Sequence, residues 1–174
     1  MISTQSIRHR WLLSVLLLVV LVPGFSTAAE SPPTASATDA AAPVPNPKFD
    51  AQLAKRAGAD LHGMRNYVLV ILKSSTTPMP KGPERDAMFQ GHFANMQRLS
   101  DAGILKVAGP LDGVDGWRGL FVLAVETVEE AKEHVATDPV IKNGEMVAEY
   151  HRFFSSAALM LIPELHEQVA ETPM

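Results

Sequence analysis

His92 stands where an apolar side chain is expected. At about 100° per residue around a helical axis, Met88, Phe89, His92, Phe93, Met96 and Leu99 fall in one arc of the segment from Arg85 to the stop at Gly103. Gln90, Gly91, Ala94, Gln97 and Arg98 fall on the far side. His92 is therefore expected to be buried. An imidazole titrates near neutral pH, so it can take or give a proton at working pH. Buried without a hydrogen-bond partner it would cost about 1–3 kcal/mol. Something must pair with it, and the plain alternative to chemistry is a satisfied core histidine.

Weaker candidates lie elsewhere. Tyr150 and His151 are neighbours in a segment that reads as a strand, so they project to opposite faces, and Tyr150 is a candidate substrate contact. Gly109 and Pro110 close another strand and are expected to shape a pocket mouth. Arg118 beside Trp117 could hold an anion. Sheet packing, strand termination and an exposed rim are the ordinary readings of these residues. His62, His134 and His166 read as surface groups.

Several classes of function drop out. The chain has no cysteine, which removes thiol nucleophiles, thiolate metal sites and disulfides. No histidine pair has the i, i+4 spacing with a carboxylate suited to zinc, so no metal is expected. GxGxxG, Walker and G-x-S-x-G motifs are absent, so no cofactor is expected and no serine hydrolase. The formal net charge is −4, with no basic cluster, a poor match to nucleic acid.

The elements that must position His92 can be followed in order. Arg8, His9 and Arg10 precede the apolar run WLLSVLLLVVLV, and Pro23-Gly24 and Ser26-Thr27-Ala28-Ala29 follow it. This is the layout of a secretory signal peptide, cleaved after Ala28 or Ala29. The run is short of the roughly 20 residues that a spanning helix needs, though an uncleaved anchor is the alternative. Loss of residues 1–29 removes Arg8 and Arg10 and no acid, taking the net charge from −4 to −6. Residues 30–48, rich in Pro, Ala, Ser and Thr, read as a disordered linker. A short helical extension spans 49–65, with Phe49 and Leu53 on one face and a stop at Gly58.

The domain proper is expected over 66–156, with a tail and short helix over 157–174. YVLVILK reads as a strand apolar on both faces. The polar loop Ser74–Gly82 leads to the His92 helix, and ILKVAGPL forms a second strand. DGVDG turns the chain into a third strand from Trp117, again apolar on both faces. Thr127 and Glu130 form a capping box for a second helix, whose buried stripe is Val128, Ala131 and Val135 and whose Glu129, Glu130, Glu133 and His134 face water. That helix ends before Asp138-Pro139. MVAEYHRFF is the fourth strand.

Strand–helix–strand–strand–helix–strand with right-handed crossovers gives an α+β fold, a ferredoxin-like βαββαβ antiparallel sheet with both helices on one face. The other face would then be bare. A homodimer packed through the sheet faces is the simplest cover, and the apolar tail 157–162 is the alternative within one chain.

Residues 67–154 resemble the YCII-related (YciI-like) domain family, in an exported branch. The resemblance rests on GHFANMQRLSDAG, the strand end AGPL, RGLFVLAV, VEEAKEHVATDP and the closing strand, in that order. It implies a dimeric α+β barrel and an active site at His92 and Asp138. It also implies eliminations on small oxygenated or chlorinated aromatic compounds, with that pair moving protons. Asp138 sits where a helix ends and the chain is forced extended, which can aim it inward, although turn formation before proline is its commoner use. A carboxylate on one imidazole nitrogen fixes the tautomer and favours the imidazolium. The expected function is thus a small cofactor-free enzyme for elimination or isomerisation. A non-catalytic small-molecule-binding module or a structural dimer is the alternative. An enzyme needs both side chains in one accessible site; a His92 bonded only to backbone would point to the others.

Overall fold

The computed structural model describes residues 46–172. The expected signal peptide and nearly all of the expected linker lie outside the described residues. Helix α1 (Ala51–Ala57) opens on Asp50, whose carboxylate accepts from the Gln52 and Leu53 N–H groups, and closes on Gly58 in the left-handed region. Strand β1 (Met64–Ser74) leads to helix α2 (Pro83–Asp101), which carries Pro83 in its first turn with Glu84 and Asp86 beside it. Gly103, at φ 73°, ends α2, with the Ile104 N–H returning to the Leu99 carbonyl at 2.9 Å. Strands β2 (Leu105–Pro110) and β3 (Trp117–Leu123) follow, joined by a 3-10 turn at Val114–Gly116. Helix α3 (Val128–Val135) starts at Thr127, whose hydroxyl accepts from the Glu130 N–H. The Glu130 carboxylate accepts from Glu126 rather than from Thr127, so the box closes one residue early.

Three features differ from expectation. Asp138-Pro139 ends α3 but also begins a one-turn helix, α4 (Pro139–Lys142), with Asp138 as its N-cap. An aspartate cap followed by proline at the first helical position starts a helix as readily as it stops one. On α2, Phe93 does not join the buried stripe; it is 62% exposed, and Asn95 takes its place beside Met88, His92 and Leu99. His134 is half-buried rather than turned to water.

Strand β4 (Met146–Ser156) completes an antiparallel sheet of order β2-β3-β1-β4, the ferredoxin-like arrangement. Val68, Val70, Leu72, Phe121 and Leu123 face the helices and form the core with Leu99, Val135 and Val140. On the opposite face Tyr67, Ile71 and Val122 are also buried. The tail supplies part of that cover. A 3-10 turn at Ala157–Leu161 packs on α1, β1 and β2, the Tyr67 hydroxyl donates to the Ser156 carbonyl at 3.0 Å, and helix α5 (Ile162–Val169) packs against β2. Toward β4 the face turns polar, with Glu149 bonded to Lys73 at 3.3 Å and to His151 at 3.0 Å, while Val147 is exposed.

Candidate functional site

Helix α2 presents His92 to the start of α4, and the pair expected from sequence meets there. His92 Nδ1 lies 2.8 Å from Oδ2 and 3.0 Å from Oδ1 of Asp138. Both residues are buried, at 7% and 1% exposure. An ionised carboxylate only accepts, so Nδ1 carries the proton and donates it. Asp138 is further held by the Val140 N–H at 3.1 Å and the Asn95 side-chain amide at 3.4 Å. The Asn95 oxygen accepts from Arg98 at 2.8 Å and from the Thr137 hydroxyl at 2.9 Å, which aims its NH2 at Asp138. A close helix contact makes this possible: a Cβ on Gly91 would stand 3.1 Å from the Pro139 ring.

The other imidazole nitrogen has no hydrogen-bond partner among the described residues. Among the described residues every fully buried side-chain nitrogen or oxygen has a hydrogen-bond partner and His92 Nε2 has none, so Nε2 is not completely sealed. Three aromatic rings surround the imidazole: Phe89 edge-on at 6.3 Å, Phe121 stacked at 6.1 Å and the exposed Phe93 at 5.4 Å. The result is an oriented imidazole in apolar surroundings, with one nitrogen unpartnered among the described residues. No cluster that could hold a metal ion occurs among the described residues.

The model of the YCII-related domain matches residues 66–153, half of the chain. The chain belongs to the YCII-related domain family. No curated protein matches it. Among solved structures it is similar to 5-chloro-2-hydroxyhydroquinone dehydrochlorinase from Burkholderia phenoliruptrix AC1100, solved with 2,5-dihydroxybenzoquinone, at 20% identity and a TM-score of 0.37. The match covers 49% of this chain and 92% of that one, and the reaction in that name belongs to that enzyme.

In this YCII-related chain the remaining candidates lie apart from the dyad. Gly109 and Pro110 line a cavity of about 680 Å³ between α2, β2 and α5, and neither His92 nor Asp138 reaches it; Phe93 borders both. Tyr150 faces the helix side of the sheet, but Val70 of β1 stands between it and Phe121, so the sheet does not bring it to His92. It packs on the core under Lys132, whose Nζ lies 5.9 Å from the ring, and burial raises its phenol above the ordinary range. His151 is on the opposite face, paired with Glu149. Arg118 lies near enough to Glu145 to act on its charge.

Glu145 itself was not apparent from the sequence. Its side chain is fully buried and bonds Arg85 through Nη2 at 2.5 Å and Nε at 3.2 Å. Its other oxygen accepts from the Met79 N–H, and its main-chain carbonyl from the Ser75 N–H. One residue thus ties the 75–82 loop to α2. Arg85 lies 4.8 Å over the Phe89 ring, which in turn meets His92. Asn95, three residues after His92 and in the same arc, is a second polar group on the buried face, and its position alone marks it.

Proposed function

We propose that the protein is a small cofactor-free acid–base enzyme with His92 as base and acid and Asp138 as its orienter. The observation that carries this reading is the asymmetry of the imidazole, with Nδ1 held by a buried carboxylate and Nε2 unpartnered among the described residues and not completely sealed. Neutral His92 takes a proton from a carbon of the substrate through Nε2. The released C–H pair becomes a double bond. In an elimination the leaving group departs with its own bonding pair; in an isomerisation the imidazolium returns the proton to another carbon. Asp138 stabilises the imidazolium between these steps and keeps the ring in place. The family resemblance makes oxygenated and chlorinated aromatic compounds the first to screen.

Two measurements test this. Nitrogen-15 NMR of the neutral imidazole should show the Nδ1–H tautomer in the native protein, with the preference lost in Asp138→Asn. In D2O, deuterium should enter a carbon of a screened aromatic compound, at a rate falling about 100-fold or more in His92→Gln. An Nε2–H tautomer in the native protein would sink the reading and leave the non-catalytic module in its place.

Export also belongs to this proposal, supported by the charged, apolar and small-residue regions of residues 8–29. Mass spectrometry of protein produced with its leader should find a chain starting at Ala29 or Glu30; an intact Met1 would instead mean a retained anchor.

A further inference from the structure

The cavity beside the dyad has a chemistry of its own. The edge strand β2 forms its floor, with Phe93 and Met96 of α2 on one side and Ile162 and His166 of α5 on the other. Its volume of about 680 Å³ lies within the roughly 300–1,000 Å³ typical of small-molecule pockets. The lining is mostly apolar, yet Lys106 contributes to it. Among the described residues no carboxylate lies within salt-bridge distance of Lys106 or of its neighbour Arg65, whose guanidinium instead donates to the Ala57 carbonyl. Asp101 and Glu167 line a smaller adjoining recess and not this cavity.

We propose that this cavity binds an organic carboxylate with an apolar body, the body lying between α2 and α5 and the carboxylate meeting Lys106. Charge complementarity carries the choice. An apolar molecule alone would cover part of the Lys106 side chain and leave its ammonium, which stands 3.7 Å from where a Cβ on Gly103 would be, with no counter-charge, and a cation would add to the repulsion between Lys106 and Arg65. Consistent with that strain, burial, with Arg65 adding to it, holds the Lys106 amine below its ordinary range. A bound carboxylate would relieve both effects. Part of the wall comes from α5, which lies beyond the 66–153 family match. The site stands whether or not His92 is catalytic, because neither member of the dyad lines it.

The test is an NMR titration of the full chain with decanoate, below its micelle concentration, against decanol and 2-naphthoate. Decanoate or 2-naphthoate should shift the amides of Val107, Ala108 and Gly109 and of His166, saturably, and decanoate should bind at least tenfold tighter than decanol. Lys106→Met should lose about tenfold in decanoate affinity and leave decanol unchanged, while Lys106→Arg should retain the preference. Several outcomes would overturn the proposal: equal affinity for decanoate and decanol, shifts confined to other surfaces, or no saturable binding by either carboxylate. It would equally fail if the same amides moved with protein concentration alone, which would place a second copy in the groove. Contacts from residues 30–45 to Phe93 in the free protein would place the chain's own N-terminal linker there, with the same consequence.

Discussion

At the scale of single residues, Glu145 offers the sharpest pH signature. The hydrogen bonds from Arg85 hold its carboxyl below the ordinary value of 4.5, against burial, which pushes the other way, and the Met79 N–H adds to the lowering. A group depressed in the folded state is protonated first in the unfolded chain on acidification. Its stabilising contribution is whole above about pH 4.5 and is lost as pH falls below that value toward the folded one. Thermal unfolding should therefore show the native protein losing more stability between pH 6 and pH 3 than Glu145→Gln does. The variant should start about 2 kcal/mol less stable at neutral pH. Parallel curves for the two proteins would show that the ion pair does not tie down the 75–82 loop. His92 was legible in the sequence because a helix converts spacing into direction. Glu145 was not, because its partner lies 60 residues upstream and nothing local distinguishes a buried glutamate after a glycine turn from an exposed one.

At the scale of elements, the contact between α2 and α4 sets the distance within the dyad. Gly91→Ala should add about 1 kcal/mol of helix propensity and oppose it by pressing on the Pro139 ring. Net stability should stay within about 1 kcal/mol of native in urea denaturation. The Nδ1–H tautomer preference of His92 should weaken, and any proton-transfer activity should drop at least tenfold. An unchanged tautomer would mean that α4 moves with α2 as one body. Strand and helix ends were largely readable, since Gly58, Gly103 and Thr127 each carry a local stop or start chemistry. Helix α4 was not, because an Asp-Pro step is the same signal for leaving one helix and for entering the next.

For the whole molecule, the expectation of a bare apolar face was half right in its premise. The tail, the alternative cover, does reach that face at Tyr67. Leu69 and Leu120 remain only half-buried, and Val147 is 52% exposed. A homodimer through these residues is therefore still the arrangement we propose. Light scattering after size exclusion should give twice the chain mass at about 10 μM, above the micromolar-to-picomolar range in which standard interfaces dissociate. Val147→Glu should shift the protein to monomer without unfolding it. A native monomer at that concentration would leave the tail as the cover of that face among the described residues. The topology was legible because element order and crossover handedness admit few alternatives. The tail's docking was not, because short apolar segments carry no address.

The placement of α5 also bears on how such a chain can change over generations. Substitutions, insertions or deletions in α5 disturb no hydrogen bond of the sheet and neither half of the His92–Asp138 pair. Ligand preference can therefore drift through the tail at little cost to foldability. The same drift through residues 66–153 is constrained at every step by the core and by the dyad together.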